Sequence, residues 1–383
     1  MIVASLLVMV GAGWLLLTAQ AWRNLLAAPS LPAVGQLPTP AKMPTVSVVI
    51  AARDEAARLE NTIRGLLAQG NIELQLVVVD DRSSDETPQI LGNLARLDER
   101  ITAVRIDELP AGWLGKCHAC AQGAARATGD WLLFTDGDIH MRPDCIGRAI
   151  AVAVREQADH VTLWPAVNTI GPLARASILA WGQCLALHCP ATQINRDQGT
   201  KGVGIGAFNL LKSQSYRALE GHEPLRMEVV DDVKLGLLVR RAGFRQRLYS
   251  GLGDIEAEWA QSGFGVIRAV EKNWFAGMNY NLPLTLFVLT LIAAMWLLGL
   301  LGPLLHPWAG GFALAGWLSP ILPAIWQARQ AGWPRRVAIL APLGYAMFVL
   351  AGVNSTFKTL RQGGVCWRGT TYPLRELRAG LVK

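Results

Sequence analysis

The stretch 131-WLLFTDGDIHMRP-143 carries an apolar run followed at once by two carboxylates, Asp136 and Asp138, with only Gly137 between them. Alternate residues of an extended strand point to the same face, so an extended chain would aim both carboxylates into one small volume. Two negative charges held that close repel each other unless a cation lies between them. The alternative is a solvated turn, because Asp-Gly is a common turn pair, and these residues alone do not decide between the two.

The sequence before this stretch alternates between strand and helix patterns. Buried strands are predicted from β-branched and apolar runs at 45–52, 73–81, 101–107 and 130–136. Helices are predicted between them, from helical spacing and start or stop signals, at 55–70 and 117–128, and a further helix is predicted to open within 83–90. This succession predicts a Rossmann-like α/β fold, a mostly parallel sheet with helices on both faces. Such sheets bind ligands at the carboxyl ends of their strands, which here carry Asp54, Asp80, Asp81, Asp136 and Asp138.

Several classes of nucleotide-binding protein do not fit these motifs. The first strand is not followed by Gly-x-Gly-x-x-Gly, and the glycines of "GVGIGAF" (202–208) have a different spacing, which disfavours a dehydrogenase. No Gly-x-x-x-x-Gly-Lys-Ser/Thr sequence occurs, which excludes a P-loop nucleotide hydrolase. The formal net charge is +7, but no basic run with interleaved aromatic residues suggests that nucleic acid is a partner.

The composition indicates that part of the chain lies in lipid. Apolar residues make up 51% of the chain and charged residues only 17%. Residues 2–22 carry no charge and have the length that spans a bilayer core. No Lys or Arg precedes this run, whereas Arg23 follows it, which favours an uncleaved anchor with its N-terminus outside and the next residues in the cytoplasm. A signal peptide is the alternative, because "AQA" at 19–21 resembles a cleavage site.

Three further apolar segments, 284–305, 308–326 and 337–353, raise a conflict about the C-terminal tail. If all three crossed from a cytoplasmic domain, six basic residues would lie outside, against the positive-inside rule: Lys358, Arg361, Arg368, Arg375, Arg378 and Lys383. Pro320 and Pro323 in the second segment allow a broken or re-entrant helix, as does Pro342 in the third. We therefore expect a cytoplasmic tail against anionic lipid headgroups, with 308–326 re-entrant or interfacial.

Six motifs occur in a characteristic order between residues 44 and 280: "VSVVIAARDE", "VVVDDRSSDET", "GWLGK", "FTDGDI", "GIGAFNLLK" and "VVDDVKLG". In this order and spacing the chain resembles the membrane-bound family 2 glycosyltransferases of the GT-A fold. The phrase "LPAGWLGKCHACAQG" (109–123) is most similar to the branch that includes hopanoid-associated and carotenoid glycosyltransferases, with ceramide glucosyltransferases more distant. The order of several motifs is far more specific than any one of them.

The resemblance favours a cation between Asp136 and Asp138 over a solvated turn. Asp136 and Asp138 resemble the Asp-x-Asp pair with which the family holds a divalent cation on the sugar-nucleotide diphosphate. Hard carboxylate oxygens suit Mg2+ or Mn2+ and leave coordination positions for phosphate oxygens and water. Gly137 lets the nucleotide approach the backbone closely.

The resemblance also assigns residues to the nucleotide-sugar donor. Family members line the uridine pocket at the end of the first strand, here Ala51, Arg53 and Glu55, and use an acid after the second strand to accept the uracil N3 proton. Asp80 and Asp81 stand at that second point, although either could cap the following helix instead. Lys116 is placed to neutralise the diphosphate, although it could be an ordinary surface lysine.

A second acid pair, Asp231 and Asp232, lies at a predicted helix start and could supply an N-cap. The family carries two acids here, and the second is the general base. The resemblance therefore implies Asp232 as catalytic base, with Asp231 supporting it. Many relatives also carry a Gln/Arg-x-x-Arg-Trp motif; this chain keeps Trp274 but has Asn273 in place of Arg, which disfavours a processive polymer synthase.

Together these features imply an inverting transfer from a nucleotide sugar, a UDP-sugar by resemblance, to a membrane lipid hydroxyl. The enzyme would be a multi-pass protein of the inner membrane with its catalytic domain in the cytoplasm. Transfer to a polyprenyl phosphate and a non-catalytic nucleotide-sugar-binding module are the alternatives. Cys117 and Cys120 are expected to be free thiols rather than zinc ligands, because their spacing fits no zinc pattern well.

The expected organisation has five parts. These are an anchor (1–22), a Pro-rich linker (23–43), a GT-A domain ending in an interfacial helix (44–281), C-terminal membrane segments (282–354) and a basic tail (355–383).

Overall fold

The computed structural model describes residues 1–37, 44–70, 72–259 and 262–382, which form two compact units. The α/β unit comprises Ala28–Ala166, Gln193–Glu258 and Arg368–Lys383, and the helical unit comprises Met1–Ala27, Val167–Thr192 and Trp259–Trp367. Residues 38–43 of the predicted linker and Lys383 of the predicted tail lie outside the described residues. The division differs from the predicted one, because the second half of the tail belongs to the α/β unit.

The secondary structure of the described residues is as follows. The strands are β1 (Thr45–Ala52), β2 (Glu73–Asp81), β3 (Ile101–Ile106), β4 (Trp131–Thr135), β5 (Ile139–Met141), β6 (His160–Asn168), β7 (Asn209–Lys212), β8 (Gln246–Glu258), β9 (Gly364–Trp367) and β10 (Thr370–Pro373). The helices are α1 (Ile2–Leu26), α2 (Leu59–Leu67), α3 (Thr87–Leu97), α4 (Gly115–Ala124), α5 (Cys145–Arg155), α6 (Pro172–His188), α7 (Ala191–Ile194), α8 (Ser213–Ala218), α9 (Asp231–Arg241), α10 (Gly263–Ala269), α11 (Asn273–Gly277), α12 (Leu282–Leu305), α13 (Pro307–Leu318), α14 (Ile321–Gln330), α15 (Ala341–Arg361) and α16 (Leu374–Ala379). Short 3-10 segments cover Glu223–Leu225 and Arg335–Leu340.

The α/β unit is built on an eight-stranded mixed sheet in the order β3-β2-β1-β4-β7-β6-β8-β5. Strands β1 to β4 form the parallel part, with β1 between β2 and β4. Strand β7 then pairs antiparallel with β4, and β6 pairs antiparallel with β7. The predicted α/β fold with a mostly parallel sheet and helices on both faces is confirmed. The later antiparallel strands were not predicted.

The two faces of the sheet follow from the alternation of side chains along β1. Val48 and Ile50 face a core that includes residues of α2 and α5, whereas Val49 faces a second core that includes residues of α4 and α9. A Cβ atom on Gly123 of α4 would lie 2.4 Å from Val49 Cγ1, so α4 packs directly on the strand. This close contact holds the start of α4 at the carboxyl edge of the parallel strands.

Among its described residues, the helical unit contains four stretches that are long and apolar enough to cross a membrane. These are Ile2–Leu26, Leu282–Leu305, Pro307–Gln330 and Arg335–Arg361. The first helix continues four residues past the predicted end of the anchor at position 22.

The third of these stretches is broken between α13 and α14, at Ser319 and Pro320. The Pro320 carbonyl accepts a hydrogen bond from Gln183 Nε2 at 3.2 Å, and Tyr345 in turn donates to Gln183 Oε1 at 2.9 Å. The hydroxyls of Ser319 and Thr18 lie 2.8 Å apart. In lipid an unpaired backbone group is costly, so these side chains stabilise the break. The predicted interruption of this segment by proline is thus present in the structure.

Two terminal segments fold onto the α/β unit. The guanidinium of Arg148 donates to the carbonyls of Leu31 at 2.7 Å and Pro32 at 2.6 Å, which holds part of the predicted linker against the sheet. At the other end, Lys234 Nζ donates to the Val382 carbonyl at 3.3 Å. The tail is therefore packed on the same unit as β1 to β8.

Candidate active site

Asp136 and Asp138 lie at a turn rather than on an extended strand, so the local geometry is the second of the two that the sequence leaves open. Strand β4 ends at Thr135, Gly137 and Asp138 form a turn, and β5 begins at Ile139. The turn is held from two sides, because Thr62 donates to the Gly137 carbonyl at 2.9 Å and the Asp136 N–H donates to the Gly206 carbonyl at 3.1 Å. The acids are brought together by this anchored turn rather than by strand alternation.

Lys116 connects the two acid pairs. Its Nζ donates to Asp136 Oδ1 at 2.7 Å and lies 3.9 Å from Asp231 Oδ1. Burial alone would lower the pKa of Lys116, but the charges of Asp136, Asp231 and Asp232 raise it well above its usual range. Lys116 is the second residue of α4, where the helix dipole favours an anion. A fixed cation at a helix start suits a phosphate group.

Asp138 lies in surroundings that oppose its own negative charge. Burial, and then the charges of Asp136 and Glu55, raise its pKa to about 6, while Arg58 at 4.0 Å acts in the opposite direction. Clustered carboxylates with a raised pKa are what a divalent cation stabilises, and carboxylate oxygens are ligands that Mg2+ and Mn2+ accept. Asp136 and Asp138 therefore fit the metal that the sequence predicts.

The two oxygens of Asp232 are both held by backbone N–H groups. Oδ2 accepts from Gly206 at 2.7 Å and Oδ1 accepts from Val233 at 2.8 Å. Burial, and then the charge of Asp231, raise the pKa of Asp232 to about 6. The N-cap of α9 is Val230, and the two acids are the first residues of the helix. The N-cap interpretation is therefore wrong for both.

Gly206 joins this acid pair to the first one. A Cβ atom built on Gly206 would lie 2.7 Å from Asp136 Oδ2 and 3.1 Å from Asp232 Oδ2. The backbone of "GVGIGAF" thus passes between the two carboxylates, where a side chain has no room. Sequence reasoning used this segment only as part of a motif and did not assign Gly206 a role.

The acids of the second strand are the last two residues of β2, and the N-cap of α3 is Glu86. Neither acid is therefore the cap of that helix. Asp80 accepts from Ser83 N–H at 3.1 Å and forms an ion pair with Arg105. Asp81 accepts from Arg82 Nε at 2.7 Å, and its Oδ2 lies 3.9 Å from Arg53 Nη1.

These residues adjoin the start of α4. A Cβ atom on Gly115 would lie 2.2 Å from Asp81 Oδ2, so α4 begins directly against that acid. Arg53, Asp81 and the start of α4 therefore adjoin one another, and Ala51 belongs to strand β1.

Three residues of the tail contact Arg53, Glu55 and Gly115, and the sequence did not predict these contacts. Arg368 forms an ion pair with Glu55, and Arg53 Nη1 donates to Thr370 Oγ1 at 3.5 Å. The buried Tyr372 accepts a hydrogen bond from the Gly115 N–H at 3.2 Å. The only sequence signal was the aromatic-basic cluster "VCWRGTTYPLR" (365–375), for which the sequence suggests an interface with anionic lipid headgroups. These three side chains make contacts within the α/β unit that this interpretation did not include.

Trp274 belongs to α11 of the helical unit. Its ring packs against Phe348 at 5.5 Å between centroids. Beside it, the Lys272 ammonium lies 3.4 Å from the centre of the Trp367 ring. A contact between Trp274 and the donor stays a prediction.

All six cysteines, which lie within the described residues, are free thiols. Cys117 and Cys120 belong to α4 of the α/β unit, whereas Cys184 and Cys189 belong to the helical unit. Sγ of Cys120, a ring nitrogen of His222 and a carboxylate oxygen of Asp231 lie within 4.8 Å of one another. His222 has no role in the sequence prediction.

The architecture around these acids is that of a known class of enzyme. A mannosyltransferase of Pyrobaculum calidifontis, solved in complex with GDP-Man and Mn2+, matches this structure with a TM-score of 0.53. The match covers 93% of this chain and 98% of that chain at 18% identity, so it shows the fold, which is the predicted GT-A fold. Residues 47–219 match the family model Glycosyl transferase family 2. The chain therefore carries a Glycosyl transferase family 2 domain, and its class is that of the glycosyltransferases, as predicted.

Two characterised relatives have similar sequences. The 4,4'-diaponeurosporenoate glycosyltransferase of Staphylococcus haemolyticus is 21% identical over 257 residues, which cover 67% of this chain and 66% of that protein. The beta-monoglucosyldiacylglycerol synthase of Trichormus variabilis is 28% identical over 150 residues, which cover 37% of this chain and 32% of that protein. The chain thus spans about two thirds of the first relative's length and about one third of the second's.

Proposed function

We propose that this protein transfers a sugar from a nucleoside-diphosphate donor, a UDP-sugar, to a hydroxyl of a membrane lipid, with inversion at the anomeric carbon. The observation that carries the proposal is the position of Gly206 between Asp136 and Asp232. Asp136, which suits a metal, and Asp232, which suits proton transfer, lie on two sides of the Gly206 backbone.

The donor end of the site is supplied by β1, β2 and the start of α4. Arg53, Asp80 and Asp81 bind the nucleoside, with Glu55 and Ala51 at the edge of the pocket. Lys116 and the positive end of the α4 dipole bind the diphosphate, because both place positive charge where the phosphates need it. Asp136 and Asp138 would hold Mg2+ or Mn2+, which would supply positive charge to the diphosphate.

The acceptor end is Asp232. Its carboxylate takes the proton of the acceptor hydroxyl while that oxygen forms a bond to the anomeric carbon. The bond from the anomeric carbon to the diphosphate oxygen breaks in the same displacement, and Lys116 stabilises the charge that develops there. The pKa of Asp232, raised to about 6, leaves the group ionised at neutral pH and more basic than an ordinary aspartate.

A lipid acceptor is supported by the chain itself, which joins this domain to four apolar stretches long enough to cross a membrane. The two relatives are named for 4,4'-diaponeurosporenoate and for beta-monoglucosyldiacylglycerol. We place the protein in the inner membrane as a multi-pass protein with the α/β unit in the cytoplasm, where nucleotide sugars are made. Transfer to a polyprenyl phosphate is the alternative.

Purified protein supplied with a panel of nucleotide sugars and native lipid extract tests the proposal. We expect a new glycolipid by mass spectrometry that depends on the donor and on Asp232. A product that hydrolyses readily in mild acid would indicate a sugar phosphate and favour the polyprenyl alternative. Tight binding of a nucleotide sugar with no turnover on any lipid would contradict the proposal and indicate a binding module.

A further inference from the structure

A buried polar contact lies behind the second acid pair. Tyr216 Oη and His222 Nδ1 are 2.7 Å apart, and both side chains are buried. A ring nitrogen of His222 lies within 4.8 Å of a carboxylate oxygen of Asp231 and of Cys120 Sγ. Asp231 in turn lies 3.9 Å from Lys116. These contacts link a buried tyrosine to the cation that binds the donor.

The protonation of His222 is set by its surroundings. Burial, with the charge of Lys116 acting in the same direction, lowers the pKa of His222 to about 3, so the ring is neutral at physiological pH. Burial raises the pKa of Tyr216 far above its usual range, so its hydroxyl keeps a proton to donate. A neutral imidazole that accepts at Nδ1 carries its own proton on Nε2. The remaining nitrogen is therefore a donor, and the Asp231 carboxylate is an acceptor nearby.

His222 is positioned by a turn in which two consecutive residues have positive φ values. After α8, Glu220 and Gly221 have φ values of 59° and 62°, and the Gly221 N–H donates to the Tyr216 carbonyl at 3.0 Å. A Cβ atom on Gly221 would lie 2.8 Å from the Tyr216 ring. This left-handed helix end turns the chain back over Tyr216. The His222 ring then packs edge-on against Phe134, 4.9 Å between centroids.

We propose that His222 is a positioning residue that holds Asp231 through an Nε2–H hydrogen bond and so fixes Lys116 and the adjacent base Asp232 for transfer. This rests on the proposed roles of the two acids. The same three ligand atoms could in principle hold zinc, but the Asp231 carboxylate already faces the Lys116 ammonium. Burial also raises the pKa of the Cys120 thiol, which disfavours the thiolate that zinc requires.

Substitutions at position 222 separate positioning from packing. His222→Gln keeps a neutral donor near the place of Nε2, whereas His222→Leu removes it. We expect His222→Leu to lower kcat by about tenfold or more with the donor KM within about twofold, and His222→Gln to recover most of kcat. Phe134→Leu disturbs the same ring packing without touching the polar contact, and it should retain kcat better than His222→Leu. Equal losses in the Gln and Leu variants, or a change confined to KM, would refute the proposal.

A second measurement does not depend on turnover. In protein with 15N-labelled histidine, His222 should show the Nε2-protonated neutral ring, and Asp231→Asn should shift its N–H signal. A ring protonated at Nδ1, or a signal that does not respond to Asp231→Asn, would overturn the inference even in an active enzyme. If no lipid is glycosylated but the shift is seen, the contact stands and the proposed transfer fails. One equivalent of bound zinc that is lost in His222→Gln would also overturn it.

Discussion

The backbone N–H of Gly206 donates to Asp232 Oδ2 at 2.7 Å, while the carbonyl of the same residue accepts from the Asp136 N–H at 3.1 Å. One residue without a side chain thus contacts the proposed base and the proposed metal ligand at once. In the proposed mechanism, the group that accepts the proton and a ligand of the metal are therefore separated by a single residue of backbone.

Gly206→Ala is expected to lower kcat by about 10²-fold, because the new methyl group would force both carboxylates to move. Gly65→Ala is the matched control, since nothing lies within 4 Å of the corresponding Cβ in α2. It should keep full activity and stabilise the helix by about 0.5–1 kcal/mol. Initial rates and thermal unfolding of both variants test this. An active Gly206→Ala enzyme would show that the two carboxylates need not be this close.

Asp232→Asn keeps the shape of the side chain and removes its basicity. Transfer should fall by about 10²-fold or more, while the affinity for the nucleoside diphosphate stays near that of the unmodified protein. Single-turnover rates and calorimetry separate the two effects. If Asp231→Asn is inactive and Asp232→Asn is not, the roles of the two acids are reversed.

The rate should depend on pH through Asp232. Burial, and then the charge of Asp231, raise its pKa to about 6. A protonated carboxyl cannot accept the acceptor's proton, so kcat/KM should decline as the pH falls through about 6. Asp231→Asn removes a negative charge, so the decline should move to lower pH. A profile at saturating metal that is flat down to pH 5, or a shift in the opposite direction, would contradict this assignment.

Donor binding should require a divalent cation held by Asp138. We expect UDP to bind much more tightly with Mn2+ than without it in calorimetry, and Asp138→Asn to abolish the difference. Glu60→Gln, which alters an exposed acid paired with Arg64 in α2, should behave like the unmodified protein. Equal UDP affinity with and without Mn2+ would exclude the proposed metal site.

The tail bears on how the chain crosses the membrane. Residues from Arg368 onward belong to the α/β unit, so we expect both on one side of the bilayer, with the chain between them crossing an even number of times. We therefore predict two full crossings, with the broken stretch Pro307–Gln330 as the exception.

Membrane-impermeant thiol labelling of intact cells tests this topology. In a cysteine-free variant, Glu376→Cys should stay unlabelled until the membrane is permeabilised, whereas Ile2→Cys, at the start of the anchor, should be labelled at once. Labelling of Glu376→Cys without permeabilisation would place the tail outside.

The parallel half of the fold could be predicted because its signals are local. The apolar runs 45–52 and 73–81 coincide with β1 and β2, since consecutive β-branched residues suit a strand that is buried on both faces. The antiparallel strands carry weaker patterns: β5 has only three residues and β7 four. Their place in the sheet depends on pairing with distant strands.

The site was predictable where a motif names a residue type and not where distant segments meet. The acids of both pairs were found because the motifs specify carboxylates. Arg368 was interpreted as a lipid contact because its partner Glu55 lies 313 residues away, and no local pattern carries such a contact. His222 was missed for a related reason, since a single histidine in a loop has no spacing to interpret.

The contacts of Arg368, Thr370 and Tyr372 also bear on biosynthesis. These residues are synthesised after all the apolar stretches of the helical unit. Until then, Arg53, Glu55 and Gly115 lack their partners in the tail. A nascent or truncated chain that ends within α15 would lack these contacts and, with them, one side of the proposed nucleotide site. We therefore expect donor binding to develop only after the apolar stretches of the helical unit have been synthesised.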